Sequence, residues 1–133
     1  MITSADWRRL ASAAFVQPFV ALGVRVMSLR RCRDLLIRAR PLLRPLLGGP
    51  PDRVVWAIEA AGRRLGRWST CLTRALIAEA ALGADTAPTT FTIGVRRTPD
   101  GLDAHAWIDS RDGVVIGSAS EEYVPIITWP TPN

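Results

Sequence analysis

The sequence predicts an α+β domain in which helices come first and a small antiparallel sheet follows. Three observations carry this. Apolar residues recur at helical spacing through roughly the first 82 residues, the period becomes alternation from Thr89 onward, and Asp112-Gly113 is a strong hairpin signal between two alternating runs. Helical and strand segments that do not interleave favour α+β over a parallel βαβ arrangement.

Each element has a local cause. Thr3-Ser4-Ala5-Asp6 offers N-cap residues ahead of Trp7, Leu10, Ala14 and Phe15, which open the first helix. Pro18 is expected to kink or restart it. From Val20 to about Arg40, Val24, Met27, Leu35 and Leu36 oppose Arg25, Arg30, Arg31, Arg33 and Arg38. This describes an amphipathic, strongly basic helix with a candidate break near Ser28. Pro41, Pro45, Gly48, Gly49, Pro50 and Pro51 mark residues 41–51 as a linker or irregular turn region. Asp52 is the expected N-cap of a helix over Arg53–Leu65 that buries Val54, Val55, Ile58, Ala61 and Leu65 and stops at Gly66. The next helix starts at Ser69 or Thr70 and runs to about Leu82, before Gly83, with Cys71, Ala75, Ala78 and Leu82 inward. Strands follow at Thr90–Val95, Ala104–Ser110 and Val114–Gly117, the first two joined by the turn Thr98-Pro99-Asp100-Gly101.

At 133 residues the chain is expected to be a single domain, with a helical amino-terminal part (1–51) and a core (52–133) that carries the chemistry. A hydrophobic share of 48% with 22% charged residues excludes a disordered chain. The formal charge of +5 comes from 17 arginines and no lysine, and implies affinity for acidic partners. The arginines form no recognition helix with interleaved aromatics, so nucleic acid is not an expected partner. Ala11–Leu29 is apolar, but Gln17, Pro18 and Arg25 interrupt it, and no integral membrane span is expected. The two cysteines, Cys32 and Cys71, lie in different segments with no CxxC or HxxxH spacing. Neither a disulfide framework nor a metal site is read from them, no cofactor is implied, and a reducing cytoplasm fits best.

The chemistry concentrates on Cys71 and the single histidine, His105. Unpaired N–H groups and the dipole at a helix N-terminus stabilise a thiolate, and the backbone N–H of Cys71 would face an oxyanion at an attacked carbonyl. The base is missing locally. His105, on a strand that a helix-then-sheet fold packs against that helix, can supply it. Taken singly, each residue is as readily a packing residue, and Cys32 reads as structural. The third, orienting residue is harder. A two-residue turn at Asp112-Gly113 pairs Asp109 with Ile116, Trp107 with Ser118 and His105 with Ser120. Asp109 then lies four residues along the strand from His105, roughly 13 Å away, too far to hold the imidazole. Ser118 is a diagonal neighbour of His105 and Ser120 lies across from it, so a serine or a water is the better candidate, and Glu121 and Glu122 could reach back only if the strand ends early. Trp107, on the same face as His105, would shield the pair from water.

Trp68-Ser69-Thr70-Cys71-Leu72-Thr73-Arg74-Ala75-Leu76, Ile93-Gly94-Val95, Ala104-His105-Ala106-Trp107-Ile108-Asp109, Val115-Ile116-Gly117 and Tyr123-Val124-Pro125-Ile126 together resemble the stand-alone leader peptidases of lasso-peptide biosynthesis. These belong to the transglutaminase-like branch of the papain-type cysteine hydrolases. Asp6-Trp7 and Arg53–Ala61 are similar to that family's amino-terminal part. The resemblance implies a catalytic helix packed on a small antiparallel sheet over 52–133. It also implies a cysteine protease that removes the leader from a lasso precursor peptide, with Cys71 as nucleophile and His105 as base then acid. Trp68 and Trp107 are the candidate substrate-binding residues. The implied partners are a separate leader-recognition domain protein and the ATP-dependent lasso cyclase. Where some family members carry aspartate this chain has Gly117-Ser118, so Ser118 stands in the orienting position. The alternative is a catalytically silent peptide-binding module of the same maturation complex. The amino-terminal helices are expected to cover the core, with Phe15, Phe19 and Val20 as candidate docking residues.

Overall fold

In the computed structural model, which describes residues 2–82, 88–110, 113–117 and 123–132, five α-helices precede a four-stranded antiparallel sheet. The α+β expectation holds. Helix α1 (Ser4–Val26) starts in a capping box: the Asp6 N–H donates to Thr3 Oγ1 at 3.1 Å and the Thr3 N–H donates to Asp6 Oδ2 at 3.0 Å. Arg9 then pairs with Asp6 at 2.9 Å and donates to the Gly48 carbonyl at 2.9 Å, tying the helix start to a distant loop. The expected kink or restart at Pro18 is not a break: α1 runs through it. Gln17, Val20 and Ala21 on either side are buried, and this packing offsets the roughly 3 kcal/mol that an interior proline costs. By length and composition α1 could cross a membrane, but it packs against α3, α4 and α5 and buries Asp6, Arg9 and Gln17. Its outer face leaves Phe15, Phe19, Leu22 and Val26 exposed, whereas Val20 is buried and cannot dock a partner.

The basic stretch does break at Ser28, whose hydroxyl accepts from the Arg31 N–H at 3.2 Å and caps α2 (Leu29–Arg38). Arg33 does not lie on a solvated basic face with its neighbours. It is buried and holds Glu79 in a two-pronged ion pair, both bonds 2.8 Å. The expected linker at 41–51 is corrected too, because residues Arg40–Leu47 form α3. Pro41 occupies the first turn, where its missing N–H costs nothing, and Leu43 and Leu47 are buried. Helix α4 (Pro51–Leu65) starts two residues earlier than expected, with Pro51 preset for the first helical position, so Asp52 sits in the first turn instead of capping it. Gly66 ends it as expected, at a left-handed φ of 58°, and a short 3₁₀ turn (Gly66–Trp68) follows.

Helix α5 (Cys71–Leu82) is the centre of the molecule. Ala75 to Leu82 are all buried, and α5 contacts every other helix as well as three strands. A helix buried all round reads as apolar on every side, which is why no single inward face describes it. The sheet comprises β1 (Thr89–Thr98), β2 (Gly101–Ser110), β3 (Gly113–Ile116) and β4 (Val124–Pro130), in the order β3-β2-β1-β4. The sequence expectation of three strands missed β4, because Pro125 and Pro130 argue against a strand. An edge strand tolerates them, having one side free of ladder bonds. The β2–β3 register also differs from expectation. Ser110 pairs with Gly113, Asp109 with Val114 and Ile108 with Ile116, with an irregularity between Ile108 and Asp109. The strands close at Ser110 with Gly113 and not at Arg111 with Val114, and the expected pairing of Asp109 with Ile116 is not formed. Ala106 and Ile108 on β2 and Phe91 on β1 join α1, α3, α4 and α5 in one core cluster, which draws on both sides of residue 51.

Candidate active site

The thiol is placed by a tightly held approach. Ser69 is buried beneath α4, where a Cβ on Gly62 would come within 2.5 Å of the Ser69 hydroxyl. Only glycine at 62 lets the segment pass this close. Arg74, one turn into α5, reaches back and donates to the Ser69 carbonyl at 3.0 Å and to its hydroxyl at 3.1 Å. Thr70 is the cap, its hydroxyl accepting from the Thr73 N–H at 3.1 Å. Cys71 is therefore the first residue of α5, where backbone N–H groups have no partner within the helix. The side chain is half-buried and free, as the sequence reading requires of a nucleophile, while Cys32 is buried and its thiol pushed up by desolvation.

His105 lies in the middle of β2, opposite Gly94 on β1. The imidazole packs against two rings that also touch each other, with centroids 5.9 Å from Trp107 and 5.3 Å from Tyr123. Gly94 makes room for both, since a Cβ there would meet Trp107 Cη2 at 2.9 Å and Tyr123 Cβ at 3.0 Å. Each ring is tethered to a carboxylate of β2. Trp107 Nε1–H donates to Asp109 Oδ2 at 3.0 Å, and the Tyr123 hydroxyl donates to Asp103 Oδ2 at 2.9 Å. Arg96 completes the second tether, donating to Asp103 at 3.2 Å with its guanidinium over the Tyr123 ring. Nε2 of His105 is buried and makes no hydrogen bond among the described residues, an arrangement with a cost unless another group comes to meet it.

Tyr123 is the nearer of the two rings to the imidazole. Its hydroxyl is raised above the ordinary phenol value, first by the hydrogen bond to Asp103, then by burial, with the Asp103 and Cys71 charges adding and Arg96 opposing. No hydrogen bond joins Cys71 to His105, and α5 packs directly on β2. Asp109 is bound by Trp107 and stands four register positions from His105, in keeping with its exclusion as the orienting group. Ser118, the residue read as that group, lies outside the described residues, as do Ser120, Glu121 and Glu122. Of the candidate substrate-binding residues, Trp68 is partly exposed with Arg25 over its ring, 5.6 Å from the centroid. Trp107 is 5% exposed and serves chiefly as packing beside His105. Asp103 and Tyr123 escaped the sequence reading. Strand alternation alone would have put Asp103 on the His105 face, but Tyr123 reaches it only through the β1–β4 pairing.

Among the described residues no group of three His, Cys, Asp or Glu side chains is placed to hold a metal ion. A groove of about 720 Å³ lies away from this chemistry, between α1 and α4, lined by Trp7, Leu10, Trp56, Ala60 and Leu65. A hydrolase acting on an extended peptide needs an open cleft at its nucleophile, not an enclosed cavity, so the geometry around Cys71 is the better guide.

A family model described as the transglutaminase-like superfamily matches residues 13–128. The matched region begins within α1, so it takes in most of the amino-terminal helical part together with the core. Searches of curated proteins and of solved structures return no significant match.

Proposed function

The chain belongs to the transglutaminase-like superfamily, and from that premise we propose that it is a thiol peptidase removing the leader from a lasso precursor peptide. The observation that carries the reading is the pairing of element types. A free cysteine opens a capped helix, and that helix packs on the strand holding a histidine whose Nε2 is buried and unbonded. The superfamily generally contains cysteine peptidases and transglutaminases, both of which use a thiol nucleophile. The Cys-Leu-x-Arg-Ala-Leu and Ala-His-Ala-Trp motifs narrow the reading to the lasso leader peptidases they resemble.

In this reading Cys71 Sγ attacks the carbonyl at the leader–core junction while His105 takes the thiol proton. The oxygen that gains charge is met by the backbone N–H of Cys71 at the start of α5. His105 returns the proton to the departing amine, which frees the core amino-terminus, and water then releases the leader from the thioester. A separate leader-recognition protein delivers the precursor, the ATP-dependent cyclase uses the freed amine, and the setting is cytoplasmic.

The test incubates wild type and Cys71→Ala with a precursor peptide and its recognition protein, following leader release by mass spectrometry. Release by wild type alone is expected, and release by Cys71→Ala at the wild-type rate would sink the reading. A second reading, a catalytically silent peptide-binding module, is favoured by the lack of a direct bond between Cys71 and His105. It requires that Cys71 react with iodoacetamide no faster than an ordinary thiol and that neither protein cleave.

A further inference from the structure

We propose that His105 is positioned by an aromatic clamp of Trp107 and Tyr123, whose outer jaw, Tyr123, is moored through its hydroxyl to Asp103. The inference rests on the thiol-peptidase reading and names a positioning device for it.

The geometry requires some such device. A histidine that shuttles a proton must keep its ring aimed at the nucleophile, and this is ordinarily done by a hydrogen bond to the second ring nitrogen. The one strand carboxylate farther along the His105 face, Asp109, is already used by Trp107. Two rings pack against the imidazole, tilted 29° and 38° to it and touching one another at 6.3 Å between centroids. Aromatic contacts of this kind restrict a ring without consuming a hydrogen-bonding atom, which fits an Nε2 left free of partners.

Both jaws are built rigid. Trp107 is fixed locally, bonded within its own strand. Tyr123 comes from the segment entering β4, and three features hold it: the 2.9 Å bond to Asp103, the Arg96 guanidinium 5.0 Å from the ring centroid, and the close seat over Gly94. Asp103 sits two residues before His105 on the same strand face, so the tether and the clamped ring move as one unit.

His105 is the only histidine, which gives a background-free spectroscopic probe. Imidazole proton and nitrogen resonances are recorded for wild type, Tyr123→Phe and Tyr123→Leu, together with the rate at which iodoacetamide alkylates Cys71. Tyr123→Leu is expected to displace the imidazole resonances through loss of the ring current and to slow alkylation about three- to tenfold, the equivalent of one aromatic pair. Tyr123→Phe, which keeps the ring and loses the tether, should recover most of the rate. Unmoved resonances in Tyr123→Leu, or a wild-type alkylation rate in that variant, overturn the clamp. If Tyr123→Leu does not fold, Asp103→Asn carries the test: weakening the mooring should broaden or split the imidazole signals, and a single unshifted set overturns the proposal. Resonances that move while His105→Ala alkylates and cleaves like wild type would leave the clamp standing and remove the peptidase reading.

Discussion

Replacing Glu79 by alanine should destabilise the protein more than any other exchange of a charged side chain. Glu79 is 1% exposed near the end of α5, and three bonds converge on its carboxylate. Arg33 donates Nε–H and Nη2–H to its two oxygens, both at 2.8 Å, and the Thr131 hydroxyl approaches Oε2 at 2.6 Å. Arg33 is itself only 8% exposed, stacked 5.1 Å over Trp129, and also donates to the Pro130 carbonyl at 2.9 Å. Truncating the carboxylate leaves that guanidinium buried beside one neutral acceptor. Breaking a buried pair from one side costs about 3–5 kcal/mol, a large part of the roughly 5–15 kcal/mol that holds a domain together. For a chain of this length the melting temperature should fall by roughly 10–20 °C. The assay is urea unfolding of wild type, Glu79→Ala, and the pair Arg33→Met with Glu79→Leu. The double variant should regain more than half of the loss, since two apolar side chains of similar volume leave no buried charge unpaired. A loss below about 1 kcal/mol for Glu79→Ala, the range of a surface pair, would refute the reasoning and return Arg33 to a solvated face.

Two further outcomes are expected. Phe15→Asp should leave the melting temperature within a few degrees of wild type, because Phe15 is 69% exposed and its ring contact is with Phe19. If the exposed stripe of α1 docks the leader-recognition protein, the same variant should weaken that complex at least about thirtyfold, as loss of an interface anchor does, and unchanged binding in calorimetry would count against docking there. The carboxyl of Asp6 is held below its ordinary value, first by the Thr3 backbone N–H, with burial opposing. A depressed carboxyl contributes stability that is present in full above its unfolded value of about 3.9 and is lost as pH falls through the folded value. The stability gap between wild type and Asp6→Asn should therefore close on acidification below about pH 4, and a gap independent of pH between 6 and 2 would show that Asp6 is not the titrating group.

What could be read in the sequence was what neighbours along the chain determine. Thr70 before Cys71, Gly66 after Leu65, Thr3 with Asp6 and the alternation through His105 are local signals, and the element end each one marks stands within about three residues of where it is expected. The order of cysteine-bearing helix and histidine-bearing strand was visible for the same reason. Where local chemistry argued one way and packing the other, packing prevailed. Proline-rich residues 40–47 are helical because Leu43 and Leu47 find a core, and proline-bearing residues 124–130 form a strand because β1 offers an edge. Arg33 looked like its exposed neighbours Arg30 and Arg31, and only the approach of Glu79 from 46 residues away set it apart.

The site divides along the same line. Sequence named the thiol and the imidazole, since a nucleophile and a base are rare residue types in this chain and their secondary structure is local. It could not name what holds the imidazole, because Tyr123 meets His105 only once β4 has paired with β1 and Gly94 has let two rings close over one backbone position. Strand pairing and ring contact are relations between segments distant in the chain, set by the free energy of burying them together, and no single segment contains that information.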